Sequence, residues 1–171
     1  MEPAALWRTS RHLIDLTHVR IMGVVNVTPD SFSDGGRLAD ASAAVAHCEQ
    51  LLRDGADILD IGGESSRPGA RQVSLQEEID RVLPAIEAAL RLGCPVSLDT
   101  TKPELMRLAL QMGVDIVNDI NALQSPDAVD AVAAHVVMQD LDALAGPDVD
   151  GVARHGLCHL VAANHVVAHD A

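Results

Sequence analysis

The sequence predicts an α/β fold in which parallel strands are joined by crossover helices, and three observations predict it. Short β-branched apolar runs alternate with longer stretches whose apolar residues recur at helical spacing. The strand–helix pair repeats four times, with a period of about 30 to 35 residues, the size of a βα unit. The polar clusters fall just beyond the strands, at Asn26 onward, Glu64 to Arg67, Asp99 to Lys102 and Asn118 to Asn121. Parallel sheets with right-handed crossovers gather their chemistry at the carboxyl ends of the strands, so four such strands converge on one face.

Ile21 to Val27 reads as the first buried strand, ending in a Pro-containing loop. A helix is expected from Asp40 to Asp54, with Ala44, Val45, Cys48, Leu51 and Leu52 inward and Gly55 as its C-terminal cap. Ile58 to Ile61 is the second strand, closed by Gly62-Gly63. Ser74 opens the next helix in a capping box with Glu77, and Ile79, Val82, Leu83, Ile86 and Leu90 mark its inner face. Pro95 to Leu98 is the third strand. Pro103 sits near the start of the following helix, where its missing N–H costs little, and that helix runs to about Met112 and Gly113. Val114 to Val117 is the fourth strand, ending at Asn118, and Ser125-Pro126-Asp127 starts a fourth helix to about Ala134. Val136 to Met138 and Leu157 to Val161 are candidate further strands without convincing helices behind them.

The 171 residues carry 12 Lys plus Arg against 25 Asp plus Glu, a net charge of −13, and 48% are apolar, enough for a single-domain core. The acidic balance argues against nucleic acid as a partner. No apolar run reaches the roughly 18 to 20 residues of a membrane span. The N-terminus lacks the order of a signal peptide, so a cytoplasmic protein with no membrane partner is expected. The single Lys is Lys102, and beyond Arg107 the one further Lys or Arg is Arg154. Positive charge for an anionic substrate must therefore come from the first two-thirds of the chain or from a metal. Cys48, Cys94 and Cys158 are odd in number and far apart, which fits neither a disulfide framework nor a paired zinc motif.

Four clusters carry candidate chemistry. Asn26 to Gly36 is either a lid with oxygen ligands (Asn26, with Asp30 and Asp34) for a hard cation such as Mg2+, or an ordinary polar loop. Gly62 to Ala70 offers two hydroxyls and the planar fork of Arg67, suited to phosphate or carboxylate; the alternative is a surface turn. Asp99 ends a buried strand, where an ionised carboxylate is costly without a partner. A ligand with adjacent N–H donors would serve, unless Asp99 or Thr100 caps the next helix, for which Thr101 is better placed. Asn118 can give a donor and an acceptor to a heteroaromatic edge, or be a turn residue. In the tail, His155 and His159, and His165 and His169, have the spacing of some zinc sites. Neither pair encloses a glutamate base and Gly156 weakens a helix there, so a His-containing tail without metal is expected.

Together these stretches resemble dihydropteroate synthase, the folate-pathway family inhibited by sulfonamides. The motifs are Met22-Gly-Val-Val-Asn-Val-Thr-Pro-Asp-Ser-Phe-Ser-Asp-Gly-Gly36, Asp60-Ile-Gly-Gly-Glu-Ser-Ser-Arg-Pro-Gly-Ala70, Ser97-Leu-Asp-Thr-Thr-Lys102 and Asn118-Asp-Ile120, matching in order and spacing over about residues 13 to 134. The resemblance implies a (β/α)8 TIM barrel, here an incomplete one of about four to five βα units. It implies a transferase that condenses 6-hydroxymethyl-7,8-dihydropterin diphosphate with 4-aminobenzoate to 7,8-dihydropteroate and pyrophosphate, aided by Mg2+. Carried over, Asn26 contacts the metal–diphosphate, and Asp99 and Asn118 hold the pterin edge. Asp34 lies on a first mobile loop. Ser66 and Arg67 on a second contact diphosphate and the aminobenzoate pocket, with Thr28 a further substrate contact. Ser66 stands where many members have Thr.

After Ala134 the resemblance fades. The sequence has no Asp-Pro-Gly-x-Gly-Phe-Gly-Lys motif, no Ser-Arg-Lys strand and no terminal Arg-x-His, which in the family supply the second pterin carboxylate, a Lys, and the Arg and His that bind diphosphate. The expectation is an N-terminal part of a pterin-binding barrel over residues 1–134, a divergent tail over 135–171 that is no independent domain, and weak or no turnover by this chain. Two alternatives stay open. One is a non-catalytic pterin-binding half-barrel, whose open edges would favour a homodimer. The other is a pterin-binding methyltransfer domain, against which the Ser-Ser-Arg-Pro-Gly loop speaks.

Overall fold

The computed structural model describes residues 6–28, 36–65 and 69–134. A hairpin comes first, β1 (Leu6–Arg8) and β2 (Leu13–Asp15), followed by β3 (Met22–Asn26), α1 (Gly36–Arg53), β4 (Ile58–Gly62), α2 (Leu75–Leu90), β5 (Val96–Asp99), α3 (Pro103–Met112) and β6 (Ile116–Asn118). A last helix is described over 128–134. The four strands β3-β4-β5-β6 lie in sequence order and are all parallel. That is the topology of consecutive βα units winding in one direction. No described helix is long and apolar enough to cross a membrane.

Strand alternation divides the sheet into two faces. Val25, Leu59, Ile61, Val96 and Leu98 point to the helices and pack against Val82, Ile86, Ala89, Leu105 and Ala109. Each such fully buried Val, Leu or Ile side chain contributes about 1.5–3 kcal/mol. The helix of 128–134 adds Ala128, Ala131 and Val132 to Met106, Leu110 and Val117 behind β6. Gly63 permits the close seating of α2, since a Cβ there would stand 2.6 Å from Val82 Cγ2.

Local signals settle the helix ends. The Ser74 hydroxyl accepts from Glu77 N at 3.3 Å and Glu77 Oε2 accepts from Ser74 N at 3.1 Å, which is the expected capping box. Gly113 closes α3 in the left-handed conformation, with φ 101°, and Gly55 follows α1 likewise. Three boundaries differ from expectation. Helix α1 begins at Gly36, four residues before Asp40, so the second of the paired glycines is helical. The N-cap of α3 is Lys102 without a side-chain cap bond, not Thr101. The neighbouring Thr100 hydroxyl takes the Lys102 N–H at 3.2 Å, so that donor is already met. Strand β6 starts at Ile116 rather than Val114, whose N–H bonds back to Ala109 O of α3 at 3.1 Å.

The hairpin has no counterpart in the sequence reading. Its Trp7 and Ile14, paired in register, pack on Met22, Ile58 and Ile116 at the amino end of the sheet's other face. Asp115 clasps it, accepting from Thr9 Oγ1 at 2.8 Å and Arg11 Nη2 at 2.5 Å, while its second interaction with the sheet is the Val96 N–H at 3.0 Å. The expected strands at 136–138 and 157–161, the tail histidines and Cys158 lie outside the described residues.

Candidate functional site

The register places the sequence-predicted residues in one line. Asn26 pairs with Gly62, Gly62 with Asp99, and Asp99 with Asn118, a single row across all four strands at their carboxyl ends. Neighbouring strands are about 4.8 Å apart, so the row spans roughly 14 Å. All four residues belong to the face that the helices do not cover. One row below, on the same face, lie Val24, Asp60, Ser97 and Ile116. The face is thus apolar at its hairpin end and polar at its carboxyl end.

Asp99 is largely buried, and its carboxylate makes no hydrogen bond or ion pair with a described residue. Burial pushes its pKa up to about 7, aided by the nearby negative charges of Asp60, Glu78 and Asp119. Neither Asp99 nor Thr100 is a helix cap, so that alternative falls away. Asp60 is buried below it and its pKa is also raised, first by burial, with the Ser97 hydroxyl and Asn118 amide opposing. The Asn118 Nδ2 donates to Asp60 Oδ2 at 3.0 Å. The Ser97 hydroxyl makes no hydrogen bond of good geometry to Asp60 or any other group.

Among the described residues, Lys102, three positions after Asp99, is held by other carboxylates. Lys102 Nζ lies between the carboxylates of Glu64 and Glu78. Burial acts to lower its pKa, but the hydrogen bonds and charges of Glu64 and Glu78 outweigh that and raise it. Glu78 is fully buried on α2 and also accepts from the Thr100 hydroxyl at 2.8 Å. Glu64 Oε1 accepts the Val73 N–H at 3.2 Å, tying both sides of the loop that follows β4. This brace joins β4, α2 and the start of α3 beneath the site. Its signal in the sequence is slight: a glutamate, Glu78, within the apolar stripe of α2 beside Val82 and Ile86.

Asn26, Asp99 and Asn118 are therefore brought together, and Thr28 lies two residues past β3 at the same end. Asp119 is a turn residue whose carboxylate accepts from Asn121 N at 2.8 Å and Leu123 N at 2.9 Å. Asp30, Asp34, Ser66 and Arg67 lie outside the described residues. Among the described residues no group of three or more His, Cys, Asp or Glu is placed to hold a metal ion. Asn26 offers one exposed amide oxygen at the end of the row.

Comparison with known proteins follows the same stretch. The family described as Pterin binding enzyme matches residues 22–143. Dihydropteroate synthase of Escherichia coli (strain K12) is 49% identical over 121 residues, 70% of this chain and 43% of that protein. Dihydropteroate synthase of Neisseria meningitidis serogroup C is 51% identical over 130 residues, 75% of this chain and 46% of that protein. Among solved structures, Xanthomonas albilineans dihydropteroate synthase with 4-aminobenzoic acid superposes with a TM-score of 0.74 at 48% identity, covering 78% of this chain and 49% of that one. The same enzyme in complex with 7,8-dihydropteroate gives 0.68 at 46% identity, covering 76% and 47%. The chain spans less than half the length of these curated relatives. Its α/β architecture is that of the (β/α)8 barrel family, seen here as four consecutive βα units among the described residues.

Proposed function

This chain belongs to the pterin binding enzyme family, and from that premise we propose that it is the pterin-binding part of a dihydropteroate synthase. The reaction joins 6-hydroxymethyl-7,8-dihydropterin diphosphate to 4-aminobenzoate, giving 7,8-dihydropteroate and pyrophosphate. The observation that carries this reading is the row Asn26–Gly62–Asp99–Asn118, in which a largely buried carboxylate has no partner among the described residues. A flat ligand with N–H donors on one edge supplies the missing partner, and Gly62 leaves room beside it.

In this reading Asp99 and Asn118 bind and orient the pterin edge. As diphosphate leaves, positive charge develops on the ring. The ionised Asp99, with Asp60 beneath it, stabilises that charge from fixed positions. A single amide oxygen, Asn26, fits an ion that arrives with its substrate rather than one caged by the protein, since Mg2+ keeps waters and binds through phosphates. Held there, Mg2+ would neutralise charge on the departing diphosphate. Asp34, Ser66 and Arg67 are assigned by resemblance to the two loops that contact diphosphate and 4-aminobenzoate.

A second reading, for these 171 residues by themselves, is pterin binding without turnover, since the second pterin carboxylate motif and the Arg-x-His of the family are not among them. Calorimetric titration with 6-hydroxymethyl-7,8-dihydropterin diphosphate, with and without Mg2+, tests binding. An assay with 4-aminobenzoate tests turnover. Binding that Asp99→Asn removes supports the pterin site. No binding at about millimolar ligand, a weak limit for specific sites, refutes it. Normal turnover refutes the second reading.

A further inference from the structure

We propose that Asp60 is a positioning residue that locks the Asn118 amide with its oxygen toward the site, so that Asn118 presents an acceptor to the ligand edge. The ligand's identity rests on the pterin reading above; the lock itself does not.

The two residues sit in successive rows of the sheet face that the helices do not cover, Asp60 in the middle of β4 and Asn118 at the end of β6, and they are 3% and 4% exposed. Asn118 Nδ2 donates to Asp60 Oδ2 at 3.0 Å, while Asn118 Oδ1 is buried and has no partner among the described residues. Ser97, the register partner of Asp60 on the strand between them, lies close enough to lower the Asp60 pKa but makes no hydrogen bond of good geometry, so the well-formed bond to Asp60 is that of Asn118. An ionised carboxylate only accepts hydrogen bonds. Turning the amide over would set its oxygen against Asp60 Oδ2 with no proton between them, in a place closed to water. One amide N–H is thus committed, and the oxygen is the group left for a ligand. Asp99, next to Asn118 in the row, is an acceptor as well. Two adjacent acceptors select a ring edge carrying N–H donors, such as a 2-amino group beside a ring N–H. They disfavour the same ring with a carbonyl at that carbon.

The experiment uses the full chain and two probe rings, pterin and lumazine, the latter carrying a carbonyl in place of the 2-amino group. Nitrogen-15 NMR of the Asn118 side-chain amide reads the lock without ligand. One proton shifted downfield and slow to exchange is expected in the parent and absent in Asp60→Leu, which keeps the shape of Asp60 without its acceptor. In the titrations, Asp60→Leu is expected to reduce the preference for pterin over lumazine by about tenfold or more, since a mispaired buried polar contact has that effect. The exchanged pair Asp60→Asn with Asn118→Asp is expected to restore the preference, because Asn then donates upward to an acceptor that still faces the site. Equal weakening of both rings in Asp60→Leu, or an Asn118 amide indistinguishable from an exposed one, overturns the proposal. If Asp60→Leu does not fold, the exchanged pair decides: preference kept supports the lock, preference lost overturns it. If the parent chain binds neither ring, the pterin reading falls and the amide signal alone decides the lock.

Discussion

Gly62 and Asp99 are register partners in β4 and β5, and a Cβ on Gly62 would lie 3.3 Å from Asp99 Cβ and 3.4 Å from its Oδ2. The absent side chain leaves the Asp99 carboxylate open on that flank. Gly62 does not have a positive φ, so alanine is allowed by the backbone and the effect is one of crowding. Gly62→Ala is expected to weaken pterin binding about tenfold by displacing Asp99, with a stability change within about 1 kcal/mol. Titration and thermal melting of the same sample check both halves.

Asp99 gives the chain a defined pH dependence. Its pKa rises from 3.8 to about 7 on folding, so the folded chain holds this proton more tightly than the unfolded one. The contribution to stability is full below the unfolded value, is lost as pH climbs toward about 7, and stays lost above it. Asp99→Asn is therefore expected to melt higher than the parent at about pH 8, by at least about 2 °C, with little difference near about pH 4. Binding runs the other way, because the ionised form accepts the ligand's N–H. Pterin affinity in the parent is expected to rise about tenfold from about pH 6 to about pH 8, a trend that Asp99→Asn lacks. Melting curves and titrations across that range are the measurements.

Lys102 is the cation that keeps Glu78 buried. Removing one partner of a buried ion pair strands the other, at a cost of about 3–5 kcal/mol. Lys102→Met is expected to destabilise the chain on that scale, and Glu78→Gln added to it to recover a large part. Urea unfolding of the single and double variants measures the coupling. Strictly additive losses would show that the Lys102–Glu78 contact carries no special weight.

Asp115 gathers Thr9, Ser10, Arg11 and the Val96 N–H, and so holds the hairpin against the sheet. Asp115→Ala leaves these donors unmatched and is expected to cost about 3 kcal/mol or more. The chain has one Trp, Trp7, and it lies on the clasped hairpin. Its fluorescence is expected to shift to the red in Asp115→Ala before global unfolding, and an unchanged emission would show that the apolar contacts hold the hairpin unaided.

The order of elements was legible in the sequence because it rests on local physics. Short β-branched apolar runs make Ile58–Gly62 and Val96–Asp99 strands, the Ser74–Glu77 box starts its helix and Gly113 ends its own wherever the chain goes. Asn26, Asp99 and Asn118 were legible as candidates because each ends such a strand. Tertiary structure alone decided that they share a register row, since register depends on how strands align and not on where each one stops. It also decided that Asp60 faces Asn118, that Lys102 serves Glu64 and Glu78 instead of a ligand, and that a three-residue hairpin strand such as Leu6–Arg8 forms at all. A segment that short is too small to signal itself. It exists through Ile14 and Trp7 packing on Ile58 and Ile116, contacts separated by tens of residues that no local pattern encodes.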